Sequence, residues 1–212
     1  MIVTSAVSSY INSLRAQPDP VLAEMEEHAA RDGIPIVVPE TGALLHILAL
    51  CHGARRIVEV GTAIGVSTLY LARALPEDGV VVSFEIDPDR HADARRYLER
   101  AGVIERTDLR LQDAREGLES LEGPLDMAFI DGVKTQYGEY FDALLPLLGS
   151  GAVLAVDNVL MSGTVAEGRS DGHWSQEQID RARAFNQRLL DNEQLVGTLT
   201  PVGDGVLVAV RR

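Results

Sequence analysis

The chain has 212 residues, of which 46% are hydrophobic and 24% are charged, and its formal net charge is −13. This length and composition are typical of one globular α/β domain with room for a large core, so residues 1–212 are treated as a single domain. The acidic balance argues against non-specific binding to nucleic acid or to an anionic membrane, because both require clustered Lys and Arg side chains.

Three helices are predicted before the first strand. Val7, Tyr10, Ile11 and Leu14 recur at helical spacing, which indicates an amphipathic first helix. A second helix is expected from Asp19-Pro20 to Gly33, because an acidic cap with proline starts helices and glycine ends them. Its apolar face carries Leu22, Met25 and Ala29.

A third helix ends at Gly53, and its apolar face is formed by Leu44, Leu45, Leu48 and Cys51. The one cysteine is therefore assigned to core packing rather than to a nucleophile, and a lone cysteine favours a reducing compartment. With no secretory leader and no run of about 18 apolar residues, we expect a cytoplasmic protein. Residues 1–53 either cap a ligand cleft or form a dimer surface, and residues 54–212 form the core.

The first strand and the turn that follows it organise the core. Ile57–Val60 is an apolar run broken by Glu59, and Gly61–Gly65 then turns tightly into a helix that begins near Val66. A dinucleotide fingerprint would have three glycines spaced G-x-G-x-x-G, whereas this chain has Glu59-x-Gly61-x-x-x-Gly65-x-Ser67. The pattern is similar to the first motif of class I S-adenosylmethionine-dependent methyltransferases.

Further strands are predicted in a regular α/β alternation, at Val80–Ile86, Thr107–Leu111, Leu125–Ile130 and Ala152–Val156, with a closing hairpin of Leu195–Thr200 and Val206–Val210. The fold class is therefore α/β: a Rossmann-like, seven-stranded, mostly parallel sheet with helices on both faces and a C-terminal antiparallel hairpin. Glu85 ends the second strand, where an acidic residue commonly accepts hydrogen bonds from ribose hydroxyls. Tyr140–Leu148 is predicted to be helical and Gly163–Trp174 to be a mobile loop, and Ser175-x-x-Gln178 is predicted to be a capping box that opens a helix through about Leu190.

Oxygen-bearing side chains follow the fourth and fifth strands. Asp131 comes directly after one strand and Asp157-Asn158 after the next. Neighbouring parallel strands end at the same edge of a sheet, so these side chains are expected to converge there. Two carboxylates and an amide oxygen suit Mg²⁺ or a similar hard ion, and suit zinc poorly.

The segment Phe129–Val165, FIDGVKTQYGEYFDALLPLLGSGAVLAVDNVLMSGTV, resembles the cation-dependent O-methyltransferases of the catechol and caffeoyl-CoA type. With Glu59–Ser67 and Glu85 the resemblance covers roughly residues 35–210. It implies a homodimer, a small aromatic acceptor with neighbouring hydroxyls, S-adenosylmethionine as cofactor and a divalent cation, Mg²⁺ first. It implies that Asp131, Asp157 and Asn158 bind the metal.

The resemblance also implies that Lys134 is the general base toward the acceptor hydroxyl, with Asp131 as the second catalytic residue. The cofactor contacts that it implies are Val37, Glu59, Gly61, Thr62, Ser67, Glu85, Asp113, Ala114 and Asp131. A phenolic hydroxyl is a weak nucleophile with a pKa around 10, so a bound cation and a partly desolvated amine would both help its ionisation. Read alone, Lys134 is more simply a solvated lysine in the first turn of a helix, and its place beside Asp131 favours the base.

Two departures from the family pattern bear on the choice of acceptor: Met161 stands where an aromatic residue is common, and no second acid follows Asp131 after two residues. His173-Trp174 is consistent either with contact to an acceptor or with simple loop packing. Two other functions remain open at this stage. One is a nicotinamide-dependent oxidoreductase, against which the missing third glycine counts, and the other is a non-catalytic S-adenosylmethionine-binding module.

Overall fold

The computed structural model describes residues 4–212. The strands are β1 (Arg56–Val60), β2 (Val80–Glu85), β3 (Thr107–Leu111), β4 (Leu125–Ile130), β5 (Leu148–Val156), β6 (Leu195–Thr200) and β7 (Val206–Arg211). The helices are α1 (Ser5–Leu14), α2 (Pro20–Asp32), α3 (Pro39–His52), α4 (Val66–Ala74), α5 (Pro88–Arg100), α6 (Ala114–Glu119), α7 (Tyr137–Leu144), α8 (Thr164–Glu167) and α9 (Gln176–Leu190).

The strands form one seven-stranded sheet in the order β3-β2-β1-β4-β5-β7-β6. The first five strands are parallel, and β7 runs antiparallel between β5 and β6. The predicted fold class is therefore confirmed, including the closing hairpin. The parallel strands all end at one edge, the edge at which open α/β sheets bind their ligands.

Side chains alternate between the two faces of each strand and fill two cores. Met127 and Phe129 of β4 belong to the core under α2, α3, α4 and α5, whereas Ala128 and Ile130 belong to the core under α6, α7 and α9. These strands are covered on both sides, which explains why they read as nearly continuous apolar runs.

Helix boundaries follow the predicted caps closely. Asp19 accepts the backbone N–H groups of Val21 and Leu22 at the start of α2, and Gly33 ends this helix in a left-handed conformation. Ser175 and Gln178 form the predicted capping box of α9. None of the helices within residues 4–212 combines the length and the apolar content needed to cross a bilayer.

Three local predictions are wrong. Cys51 is exposed, because the buried face of α3 follows Leu45 and Ala49 and Cys51 lies about 200° around the helix from Ala49. Leu148 is not helical: α7 gives way to a 3₁₀ turn at Leu145–Leu147, since Pro146 cannot continue the ladder, and Leu148 starts β5. Part of the loop predicted at Gly163–Trp174 is the helix α8.

The predicted first helix is present, but its apolar face is not covered. Val7, Tyr10, Ile11 and Leu14 of α1 are between 42% and 68% exposed. The helix is tied to α2 by an ion pair between Arg15 and Glu26.

Candidate functional site

The glycine turn brings the ends of β1 and β4 together. Gly61 has φ +100°, and a Cβ at this position would lie 2.3 Å from the backbone oxygen of Asp131. The backbone N–H of Asp131 in turn donates to the oxygen of Val60 at 2.9 Å. Only glycine fits this close approach, so the turn and the end of β4 form one continuous wall.

Glu59 lies beneath this turn and is completely buried. Its Oε2 accepts hydrogen bonds from the hydroxyls of Thr68 on α4 and Ser83 on β2, and the Ser83 oxygen lies 2.6 Å from the hydroxyl of Thr62. Because the Ser83 proton is donated to Glu59, Thr62 is the donor to Ser83. Burial raises the pKa of Glu59 to about 7. Glu59 therefore anchors the turn from below.

Glu85 holds the same turn from the side. Its Oε2 accepts from the backbone N–H of Ala63 at 2.7 Å, and its Oε1 accepts from Ile86 and Asp87 at 2.9 and 3.0 Å. Each carboxylate oxygen can accept more than one hydrogen bond. Glu85 thus positions the turn and keeps acceptor capacity toward the open side.

A cavity of about 500 Å³ opens above the turn at the carboxyl ends of the parallel strands, and we call it the first cavity. Eight of the nine residues predicted to contact a cofactor line it, which are Val37, Gly61, Thr62, Ser67, Glu85, Asp113, Ala114 and Asp131. Glu59 does not line it, because its side chain is turned down into the core. The direct contact between Glu59 and a cofactor stays a prediction, and the structure gives this residue an anchoring role.

The cluster predicted at the ends of β4 and β5 comes together. Ile130 pairs with Val156 in the sheet, and the next residues along are Asp131 and Asp157, whose backbone N–H donates to the oxygen of Ile130 at 3.0 Å. Asn158 follows with φ +58°, and its backbone N–H donates to Asp157 Oδ1 at 2.8 Å. Asn tolerates this left-handed conformation better than most residues, and Asn158 lines the same cavity as the two carboxylates.

Electrostatics in this cluster favour a cation. Burial, reinforced by the negative charge of Asp157, raises the pKa of Asp131 well above its ordinary value. Burial also raises the pKa of Asp157 to about 6. Two buried carboxylates that repel each other gain stability when positive charge is placed between them. No group of three or more His, Cys, Asp and Glu side chains capable of holding a metal occurs in residues 4–212.

Lys134 supplies the positive charge in this structure. Its Nζ donates to Asn158 Oδ1 at 2.8 Å. It is also the only lysine in the chain, since every other one of the 19 Lys and Arg residues is arginine. A lysine amine can give up its proton in a partly desolvated site, whereas a guanidinium stays charged. The position thus carries the one residue among the 19 Lys and Arg side chains of the chain that can act as a base.

A second cavity, of about 310 Å³, lies on the far side of Lys134 and Asn158, between α7 and α9. These two residues line both cavities, so their hydrogen bond marks the boundary. Met161, Ala182 and Phe185 contribute apolar lining to the second cavity. It was not predicted from the sequence, because it exists only through the way α9 packs beside α7.

Asp204 is a further site residue that sequence reasoning missed. It lies in the turn between β6 and β7, and its carboxylate accepts the backbone N–H of Ser162 beyond Asn158. The Gly203-Asp204-Gly205 sequence indicates only a turn, and no local signal shows that this turn folds back over the end of β5.

A Rossmann-like sheet closed by an antiparallel hairpin, with a glycine turn walling a cavity at its carboxyl edge, is the architecture of class I methyltransferases. Comparison with known proteins is consistent with this class. Residues 12–212 match the model of a family described as O-methyltransferase. A catechol O-methyltransferase of Niastella koreensis is 34% identical over 98% of this chain and 97% of its own length.

Solved structures give the same result. The O-methyltransferase TomG of Streptomyces achromogenes, determined in complex with SAM, is 32% identical with a TM-score of 0.85 over 97% of this chain and 96% of its own. An O-methyltransferase of Bacillus cereus, in complex with SAH, is 30% identical with a TM-score of 0.86 over 100% of both chains. The chain therefore belongs to the O-methyltransferase family.

Proposed function

We propose that this O-methyltransferase transfers the methyl group of S-adenosylmethionine to one hydroxyl of a catechol-like acceptor and that it depends on a divalent cation. The observation that carries the proposal is the pair of strand-end carboxylates, the buried Asp157 and the half-buried Asp131. They lie where Lys134 and Asn158 separate two adjoining cavities.

S-adenosylmethionine is assigned to the first cavity. The complexes of TomG with SAM and of the Bacillus cereus enzyme with SAH support this assignment. Glu85 retains acceptor capacity for ribose hydroxyls, and Asp113 and Ala114 lie where the base is expected. Asp131 lines this cavity, and an acidic side chain there disfavours an anionic phosphate.

The residues at the boundary fit a divalent cation. Asp131, Asp157 and Asn158 would hold it through oxygen atoms, the ligands that Mg²⁺ prefers. When bound, such an ion stabilises a phenolate oxygen and favours an acceptor that offers two neighbouring oxygens. A bound cation would lower the pKa values of these two carboxyls, which burial raises.

Lys134 is the proposed base. Its neutral amine takes the proton of the acceptor hydroxyl, and the oxygen attacks the methyl carbon in line with the breaking C–S bond. The products are the methyl ether, S-adenosylhomocysteine and the Lys134 ammonium. Its place on the boundary allows Lys134 to reach an acceptor in one cavity beside a donor in the other.

The second cavity is assigned to the acceptor. Its lining by Met161, Ala182 and Phe185 suits the apolar faces of an aromatic ring. The Niastella koreensis relative carries the name catechol O-methyltransferase, which supports a ring with two adjacent hydroxyls.

A homodimer is also proposed, and the uncovered apolar face of α1 is a surface that a second copy could bury. A cytoplasmic location and the absence of nucleic-acid and membrane partners stay predictions from composition. Light scattering on the purified protein tests the dimer.

The proposal is tested by incubating the protein with methyl-labelled S-adenosylmethionine and a panel of catechols, each with and without Mg²⁺. Resorcinol and monophenols are the matched control compounds, because they lack the two adjacent hydroxyls. We expect labelled product from catechols only, and its loss with a chelator. Turnover that survives chelation would contradict the metal role, and binding of NAD(H) in place of S-adenosylmethionine by calorimetry would contradict the cofactor.

A further inference from the structure

Trp174 lies over Lys134. The centre of its indole ring is 5.7 Å from Lys134 Nζ, a separation at which an ammonium is attracted to the ring face. Trp174 is the only tryptophan of the chain and Lys134 the only lysine. The single ammonium side chain and the single indole of 212 residues thus meet at the boundary of the two cavities.

The loop before α9 is built to hold this tryptophan. Asp171 Oδ1 accepts the backbone N–H groups of His173 and Trp174 at 2.9 and 3.0 Å. The hydroxyl of Ser170 donates to the Trp174 backbone oxygen at 2.6 Å. Ser175, the next residue, caps α9. Both backbone groups of Trp174 are therefore fixed by hydrogen bonds, and the residue directly precedes the N-cap of α9.

Hydrogen bonding does not set the orientation of the indole ring. Its Nε1 is buried and has no partner among residues 4–212, although a buried indole N–H usually finds an acceptor. The ring instead meets two neighbours, Lys134 and the edge-to-face ring of His173 at 4.8 Å. The contact between the ring face and the Lys134 ammonium is thus the polar interaction that the indole makes.

Lys134 needs such support. A lysine side chain has four rotatable bonds, and fixing it in one geometry has an entropic cost. The structure holds it by one hydrogen bond, to Asn158 Oδ1 at 2.8 Å, and by the indole. If Asn158 turns its oxygen to a cation, as the proposed function requires, the indole is the contact that remains.

We propose that Trp174 is a positioning residue that keeps the Lys134 amine at the boundary between the cavities. The contact itself follows from the geometry, and its effect on turnover rests on the proposed function. Trp174 lines neither cavity, so it acts through Lys134 and leaves cofactor binding unchanged.

The contact is tested by NMR on protein labelled with ¹³C at lysine, because Lys134 then gives the single side-chain signal. The ring current of an indole face shifts the Lys134 εCH₂ resonance upfield. We expect W174L to abolish this shift, W174F to keep a large part of it, and the control Y10L, which changes an exposed aromatic residue on α1, to leave it intact. A Lys134 resonance that does not respond to W174L would overturn the proposal.

The role is tested by a double-mutant cycle on turnover. W174L is expected to lower kcat about tenfold beside Lys134 but less than twofold in a K134A background, with W174F close to wild type. Affinity for S-adenosylhomocysteine, measured by calorimetry, should stay within about twofold and also shows that the variants fold. An equal loss of kcat in both backgrounds would overturn the proposal, since Trp174 would then act independently of Lys134.

The two proposals fail in different ways. If the wild-type protein methylates no catechol, the proposed function fails and the positioning role falls with it, whatever the NMR result. If the wild type is active but the cycle is additive, the function stands and the role of Trp174 is rejected.

Discussion

Carboxylates are buried in two regions of this protein, and their surroundings differ. Beneath the glycine turn, Glu59 is completely buried, and its Oε2 accepts two hydroxyl hydrogen bonds. At the ends of β4 and β5, Asp131 and Asp157 face each other's charge with a lysine at the edge. Burial raises the pKa in both regions.

The difference separates Glu59, a structural acid, from the two carboxylates proposed as metal ligands. A lone carboxyl with a raised pKa is neutral for part of the time near pH 7, and two hydroxyls donate to one of its oxygens, so it needs no ion. Two carboxylates in one site repel each other, and hydrogen bonds from neighbouring hydroxyls do not remove this repulsion as a bound cation does. The proposed assignment of Asp131 and Asp157 therefore rests on the two carboxylates sharing one site, and not on a raised pKa alone, which Glu59 also has.

Asp157→Ala tests the strand-end region and should have the largest effect. Loss of one of three proposed metal ligands is expected to lower kcat at least about a thousandfold, or about 4 kcal/mol. Affinity for S-adenosylhomocysteine, measured by calorimetry, should change only a few-fold. Asp78→Ala, which removes an exposed carboxylate paired with Arg55, is the matched control and should retain activity. If Asp157→Ala also lost affinity for the cofactor, the proposal that Asp157 binds the metal and not the cofactor would be contradicted.

The same two regions show which features of the protein could be predicted from its sequence. Strand ends were predictable, because Asp131 and Asp157 each follow an apolar run and parallel strands share an edge. Capping signals placed α2 and α9 correctly because they are local. The position of Cys51, the second cavity and the placement of Asp204 were not predictable, because each depends on which face of an element packs against a partner distant in sequence.

Glu59→Gln tests the region beneath the turn through pH. Between its ordinary pKa of 4.5 and the folded value of about 7, Glu59 keeps a proton in the folded protein that the unfolded chain has released. Rising pH over this window therefore lowers the wild-type free energy of unfolding, by up to about 3 kcal/mol from this group. Glutamine does not titrate, so the variant should gain stability relative to wild type as pH rises from 4.5 to 7.

Urea unfolding of both proteins at several pH values measures this difference, and Asp78→Asn provides a control for the loss of an exposed carboxylate. A difference between Glu59→Gln and wild type that stays constant across the window would show that Glu59 has an ordinary pKa. The proposed distinction between Glu59 and the pair formed by Asp131 and Asp157 would then lose its electrostatic basis.

Asp157→Asn sharpens the comparison from the other side. The amide keeps an oxygen for the Asn158 backbone N–H but removes the repulsion with Asp131. We expect the metal-free variant to be more stable than wild type at pH 7 by about 1 kcal/mol. Mg²⁺ should raise the Tm of wild type and leave that of the variant unchanged. If Mg²⁺ stabilises both proteins equally, the ion binds elsewhere.

Thr62→Val should have the smallest effect, and it tests whether the anchor beneath the turn is transmitted to the first cavity. Valine removes the hydroxyl that donates to Ser83, but Ser83 still donates to Glu59, so the buried acid stays paired. The expected loss is about 1 kcal/mol of stability, the usual value of one hydrogen bond. Affinity for S-adenosylhomocysteine should fall a few-fold, because the turn carrying Gly61 loses one of its ties to β2.

Ser120→Ala, which removes a hydroxyl that donates to Gly117 at the end of α6, is the matched control for stability and should leave cofactor affinity unchanged. Full wild-type affinity in Thr62→Val would mean that the hydrogen bond from the Ala63 backbone N–H to the Glu85 carboxylate holds the turn without the network of Glu59.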